Sequence, residues 1–151
     1  MSPVPVWGQV LAAFVGTIAF ALLFGVPRKY YLVCGIDAAL GWLLYCVLNR
    51  AGLTPAESTF CSTVLVILLS RIAAARMECP VTVFLTTGIF PLIPGAGIYW
   101  MAYYLVVDDK HAALESGFGA LKAVIAIVLG IILVFEIPVK AFSFAKPNKT
   151  A

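Results

Sequence analysis

The sequence has little charge. Only 11% of its residues are Asp, Glu, Lys or Arg, whereas 63% are hydrophobic, and the mean hydropathy is +1.06. A soluble domain carries about 25% charged residues. This shortage of charge excludes a soluble catalytic or nucleotide-binding domain and predicts an all-α, polytopic integral membrane protein. The formal net charge of +3 does not indicate nucleic acid as a partner, because basic residues beside membrane spans normally report topology.

Metal-binding and catalytic patterns are also scarce. The single histidine, His111, lies within Asp108 to Ser116, which we expect to be a polar loop, and no second histidine or cysteine is near it. The four cysteines lack a CxxC pair, and we expect thiols in apolar segments to pack as small hydrophobes. No Ser/His or Cys/His pair, HExxH motif or pair of intramembrane acids is present. We therefore predict no metal site, no catalytic residue, no cofactor and no enzyme activity.

Apolar segments of membrane-spanning length fill the chain. About 20 apolar residues cross a bilayer core of roughly 30 Å. Five segments fit that length, and we predict spans at 5–25, 30–48, 56–75, 81–107 and 117–139. A stripe of small residues on the last span, Ala123, Ala126 and Gly130, predicts close approach of a neighbouring helix. The spans form one transmembrane domain, 1–140, followed by a flexible cytoplasmic tail, 141–151.

The basic residues predict the orientation of the chain, because Lys and Arg near the ends of spans are retained on the cytoplasmic side. With the N-terminus outside, the basic residues on the cytoplasmic side are Arg28, Lys29, Arg71, Arg76, Lys140, Lys146 and Lys149. Those on the outer side are Arg50, Lys110 and Lys122. The sequence therefore predicts an outer N-terminus and a cytoplasmic C-terminus.

The fourth predicted span contains two prolines and three glycines within TGIFPLIPGAGIY, from Thr87 to Tyr99. Pro91 and Pro94 lack an N–H group and displace the preceding helical turn. The pattern therefore predicts a discontinuous helix, broken at 91–97. Broken membrane helices expose backbone groups that line the binding sites of many transporters.

We expect a substrate site at this break. The N–H groups that begin the second half, near 96–98, favour a carboxylate, and the carbonyl groups that end the first half, near 88–90, could hold an ammonium group or a cation. Gly95 and Gly97 would let a ligand approach the backbone. The expected substrate-binding residues are Thr87, Gly88, Pro91, Pro94, Gly95, Gly97 and Tyr99. The alternative is a proline kink that only fits a neighbouring helix.

Asp37 is an ionisable residue inside the second predicted span. Such residues are rare in spans and usually face a cavity or a partner. Gly41 and Tyr45 follow at four-residue intervals, so the three residues share a helical face that could admit substrate or water. Asp37 is thus a candidate for proton coupling. The alternative is a carboxylate that reaches the interface or pairs with Arg71, whose own charge we expect to extend toward the lipid headgroups.

Four stretches of the chain resemble the threonine/serine exporter family, in particular the small membrane subunit of its split, two-chain form. They are FALLFGVPRK at 20–29, GWLLYCVLNRAG at 41–52, STFCSTVLVILLSRIAAAR at 58–76 and PVTVFLTTGIFPLIPGAGIY at 80–99. The resemblance covers nearly the whole chain, and its most specific motif falls on Pro91, Pro94 and Gly95, followed by Tyr99. The family pattern does not predict an acidic residue at the position of Asp37.

The resemblance implies a subunit of a secondary exporter of small carboxylate-bearing metabolites in the bacterial cytoplasmic (inner) membrane, with threonine and serine as founding substrates. It also implies a larger membrane subunit as partner, which together with this chain would form an inverted pair. Self-assembly into a homo-oligomer is the alternative assembly. Two other functions stay open: export of dicarboxylates such as succinate, and a structural or assembly subunit whose broken helix only docks a partner.

Overall fold

Six α-helices make up the part of the chain that the computed structural model describes, residues 5–138. They are α1 (Val6–Leu23), α2 (Tyr31–Arg50), α3 (Pro55–Met77), α4 (Val81–Ile89), α5 (Gly95–Val106) and α6 (Lys110–Phe135). Single 3-10 turns, Arg28–Tyr30 and Phe90–Leu92, precede α2 and follow α4. The all-α class is confirmed. The predicted tail, 141–151, lies outside the described residues.

The six helices account for the five predicted membrane spans. By length and composition, α1, α2 with its preceding turn, α3 and α6 can each cross a membrane. α4 and α5 qualify only as a pair, bent by 48° at the break between them. Counted as one span, the pair brings the total within the described residues to five, and it confirms the predicted discontinuous helix.

The last helix begins earlier than predicted. The expectation of a polar loop over Asp108 to Ser116 is wrong, because α6 begins at Lys110 and therefore includes His111. Asp109 is the N-cap residue, and its carboxylate accepts a hydrogen bond from the N–H of Ala112 at 3.1 Å. This bond satisfies a backbone donor of the first turn, so the helix can begin before the apolar run does.

α3 is the central helix, in contact with α2, α4 and α6, while α1 packs mainly against α2. The small-residue stripe of the last span is buried, as predicted. At Gly130 an added Cβ would lie 3.0 Å from Cγ2 of Thr63, so the glycine lets α6 approach α3 closely. The four cysteines are free thiols, and Cys34 is fully buried in an apolar cluster with Phe84.

The two halves of the broken span have different surroundings. α4 is buried against α2 and α3, with Phe84, Thr87, Gly88 and Ile89 all inside the protein. α5 has no buried residue and packs chiefly against α6. The turn between them is fixed on the α4 side, where the ring of Phe90 stacks on that of Phe20 with their centroids 4.0 Å apart.

Candidate functional site

The break begins at the end of α4 and finishes at the first residue of α5. Pro91 lies in the 3-10 turn and Pro94 is the N-cap residue of α5. Between them Ile93 is extended, with φ −63° and ψ 127°. Proline supplies no N–H to the preceding turn, which accounts for the interruption. The second half starts at Gly95, one residue earlier than the expected 96–98.

The backbone groups at the break are partly satisfied locally. Phe90 was expected to present a free carbonyl, but that carbonyl accepts a hydrogen bond from the N–H of Ile93 at 3.3 Å. The N–H of Gly95 donates to the carbonyl of Ile93 at 2.7 Å. The N–H groups of Ala96 and Gly97 follow in the first helical turn, where no preceding helical carbonyl can accept them. The donors that favour a carboxylate are therefore those of the α5 start.

The expected binding residues divide into an inner and an outer group. Thr87 and Gly88 are buried on α4, whereas Gly95 is exposed and Tyr99 is 62% exposed on α5. The hydroxyl of Thr87 donates to carbonyl groups of its own helix, at 3.0 Å from Val83 and 3.1 Å from Phe84. The expected binding residues therefore lie partly inside the helix bundle and partly on the exposed surface of α5.

The two glycines after Pro94 differ in what surrounds them. A Cβ added at Gly97 would lie 3.1 Å from Cβ of Ala120 and 3.5 Å from the carbonyl oxygen of Ser116, both on α6. A Cβ added at Gly95 would meet nothing within 4 Å. Gly97 thus lets α5 pack on α6, and Gly95 is the position with open space for a ligand.

Asp37 is the polar centre of the inner group. It is only 4% exposed, and its Oδ2 accepts a hydrogen bond from Oγ of Ser70 at 2.7 Å. Gly88 lies beside the same oxygen, since a Cβ there would be 3.0 Å from Oδ2. Within residues 5–138, Oδ1 has no hydrogen-bond partner. One carboxyl group therefore joins α2, α3 and the inner half of the broken span.

The prediction that Arg71 extends toward the headgroups is wrong. The side chain is 7% exposed, and its guanidinium donates to the backbone carbonyl of Val134 and lies over the ring of Phe135. A cation at the last turn of α6 interacts favourably with the negative end of the helix dipole. The two alternatives given for Asp37, a position at the interface and a pair with Arg71, are not observed either. Its carboxyl group is buried and accepts a hydrogen bond from Ser70.

The face of α2 that carries Asp37, Gly41 and Tyr45 does point toward α3, but the expected gap at Gly41 is filled. A Cβ added at Gly41 would lie 2.4 Å from Cγ2 of Val66. Tyr45 packs beside the apolar cluster that contains Val66. The idea that this gap admits substrate is therefore wrong for the conformation described, because a valine side chain occupies it.

Sequence reasoning missed the polar side of α3. Ser58, Ser62 and Ser70 are fully buried there, and together with Val66 they follow one another at four-residue intervals. The signal was present in the sequence, since three serines with this spacing share one face of a helix. The same residues fall within the predicted span 56–75 and within the stretch that carries the family resemblance, and neither pattern predicts a polar face.

Comparison with known proteins gives one family and two relatives. The family model described as "Threonine/Serine exporter, ThrE" matches residues 9–137. A Mycobacterium tuberculosis protein named "Probable threonine/serine exporter" is 25% identical over 133 residues, which are 85% of this chain and 25% of that protein. A Haemophilus influenzae protein named "Uncharacterized protein" is 31% identical over 91 residues, 60% of this chain and 31% of that protein. The chain thus spans about a quarter to a third of the length of these curated relatives. No solved structure matches it.

Proposed function

The chain belongs to the threonine/serine exporter family, and we propose that it is a membrane subunit of a secondary exporter of small carboxylate-bearing metabolites of the threonine/serine type. The observation that carries this proposal is the broken span. With Val81 taken as the start of the span and a rise of about 1.5 Å per residue, the break at Ile93 lies about 18 Å along it, close to the middle of a hydrocarbon core of about 30 Å. A helix interrupted at that depth is the arrangement that transporters use to bind charged solutes.

The start of α5 supplies the proposed carboxylate contact. The N–H groups of Ala96 and Gly97 and the positive end of the helix dipole favour a negative charge there. The open space at Gly95 lets a ligand reach these groups, and the exposed Tyr99 adds a hydroxyl one turn further on. Thr87 and Gly88 lie on the inner side, where Gly88 adjoins Asp37.

Asp37 is the proposed proton carrier. Its carboxyl group can take up and release one proton, and it is in contact with Gly88 on the inner half of the broken span. A change in the charge of Asp37 would alter its interaction with Ser70 and thereby the packing of α2, α3 and α4. This contact offers a physical link between the proton and the position of the broken helix.

A larger membrane subunit is the proposed partner. α5 contains no buried residue and exposes several large side chains within the membrane, including Tyr99, Trp100 and Tyr103. Aromatic side chains are enriched at protein interfaces and at membrane boundaries. A partner helix on this face would complete the surroundings of the α5 start. Export of dicarboxylates and a purely structural role are the alternatives.

The proposal is tested with vesicles that contain this chain, a candidate larger subunit, or both, preloaded with labelled threonine, serine or succinate. We expect efflux only from vesicles with both chains, and faster efflux of threonine and serine than of succinate. Efflux of succinate alone would identify a dicarboxylate exporter. Full efflux from the larger subunit alone would contradict a transport role for this chain and favour the structural alternative.

The proposed orientation, with the N-terminus outside and the C-terminus in the cytoplasm of a bacterial inner membrane, is tested separately. An epitope inserted after Gly52, in the connector between α2 and α3, should bind antibody on intact spheroplasts. An epitope inserted after Glu78, between α3 and α4, should bind only after permeabilisation. The reverse pattern would invert the assignment of the basic residues.

A further inference from the structure

One face of α3 carries a row of four buried residues, three serines and one valine. Ser58, Ser62, Val66 and Ser70 lie at four-residue intervals, and the contacts of the last two point this face toward α2. Ser70 donates to Asp37 of α2, and Val66 lies against Gly41 of the same helix. The row therefore runs through the interior of the bundle.

The hydroxyl groups at the N-terminal end of this row lack protein partners. Within residues 5–138, Oγ of Ser58, Oγ of Ser62 and Oγ1 of the adjacent Thr63 accept and donate no hydrogen bond, although all three residues are fully buried. Thr59 on the same helix behaves in the ordinary way and donates to the carbonyl of Pro55 at 2.7 Å. A buried polar group without a partner costs about 1–3 kcal/mol. Hydroxyls clustered in this way are normally satisfied by water or by a polar ligand.

Val66 separates these hydroxyls from Asp37. The valine is fully buried, and its two methyl groups fill the space that side chains at two glycines would take. A Cβ at Gly41 would lie 2.4 Å from Cγ2 of Val66, and a Cβ at Gly88 would lie 2.8 Å from Cγ1. On the far side of Val66, Oδ1 of Asp37 is again a buried atom without a partner among the described residues. Two polar regions on one helix face are thus divided by one apolar side chain.

We propose that Ser58 and Ser62 line a second, separate part of the solute path, and that Val66 closes the path between them and the Asp37–Ser70 pair. The inference rests on the exporter function proposed above. The solute is a small hydrophilic metabolite with its accompanying water, because serine hydroxyls both donate and accept hydrogen bonds. The path becomes continuous when Val66 leaves the space at Gly41 and Gly88. Since Gly88 belongs to α4, and the break separates α4 from α5, α4 can shift without carrying α5 with it.

Thiol labelling of the assembled exporter in vesicles tests the path. Ser62→Cys is introduced into a chain whose native cysteines are replaced by alanine, and a charged, membrane-impermeant methanethiosulfonate reagent is added on the side of the α2–α3 connector. The matched control keeps Cys61 as the single cysteine. Cys61 is the more exposed of the two positions in the structure, on a groove with α6. We nevertheless expect Ser62→Cys to react at least about 10-fold faster, because only it would face water.

The closing role of Val66 is tested with Ser70→Cys, which should be protected from the same side. Val66→Ala should raise its rate of labelling at least about 10-fold. Val66→Ser, which also shortens the side chain but adds a hydroxyl, should do the same if Val66→Ala disturbs folding. Ser62→Cys that reacts no faster than Cys61, or Ser70→Cys that stays protected in both Val66 variants, would overturn the inference.

Threonine efflux from the same vesicles separates this inference from the proposed function. Labelling needs no substrate, so the expected labelling pattern without efflux would retain the path and contradict the threonine/serine assignment. Normal efflux with an inert Ser62→Cys would retain the exporter and remove the path from this face of α3.

Discussion

Replacing both prolines of the break, as Pro91→Ala with Pro94→Ala, should abolish export and leave membrane insertion intact. A proline inside a helix costs about 3 kcal/mol or more, so the two replacements favour a continuous helix by several kcal/mol. A straight helix from Val81 to Val106 no longer presents N–H groups at the start of α5. Because the proposed carboxylate site exists only in the broken conformation, we expect export to fall at least about 100-fold as that conformation becomes rare.

The measurement is efflux of labelled threonine from vesicles that contain equal amounts of normal and variant protein. Pro80→Ala is the matched control, since Pro80 is an exposed N-cap residue before α4 and lies outside the break. It should export normally. Gly95→Ala adds a Cβ in open space, so it should fold normally and lower export only if a ligand approaches this backbone. Normal export by the double proline variant would leave the break as a packing feature.

Asp37→Asn should uncouple export from the proton gradient. Asparagine has nearly the same shape and can still accept the hydrogen bond from Ser70, but it cannot carry a proton. We expect net export driven by a pH gradient to fall at least about 10-fold, because no carboxyl group would then carry a proton along with the solute. Exchange of labelled for unlabelled threonine, which needs no net proton movement, should continue.

The comparison of net efflux with exchange distinguishes coupling from folding. A misfolded variant would lose both activities, whereas an uncoupled one keeps exchange. Asp108→Asn is the matched control, because Asp108 is exposed in the connector before α6 and forms its ion pair with Lys110 at the surface. It should retain the normal pH dependence. An Asp37→Asn variant with unchanged pH dependence would show that this carboxyl is structural.

Arg71 and Gly41 show where sequence patterns mislead. The pattern places Arg71 near the end of a span, where a long side chain commonly reaches the interface. In the structure it instead contacts the last turn of α6, a helix that is 63 residues away along the chain at Val134. Gly41 looks like an opening beside Asp37, but Val66 of α3 fills it. In both cases the deciding neighbour belongs to another helix.

The break shows the opposite case. Proline removes a backbone donor whatever surrounds it, so Pro91 and Pro94 predict an interruption from local chemistry alone. The structure confirms the interruption and moves the start of the second half by one residue, to Gly95. What local chemistry did not predict is that one half is enclosed by α2 and α3 while the other packs chiefly on α6.

The amino-acid sequence by itself determined the membrane class, the five apolar spans and the break, because these follow from composition, segment length and the covalent structure of proline. Its motifs carried the resemblance to an exporter family. Tertiary structure alone decided that Asp37 accepts a hydrogen bond from Ser70 and that Val66 packs against Gly41 and Gly88. It also decided that Arg71 donates to the last turn of α6. The physical reason is the range of the interactions. Hydropathy and backbone donors act within one segment, whereas the packing of side chains depends on which helices meet and at what depth.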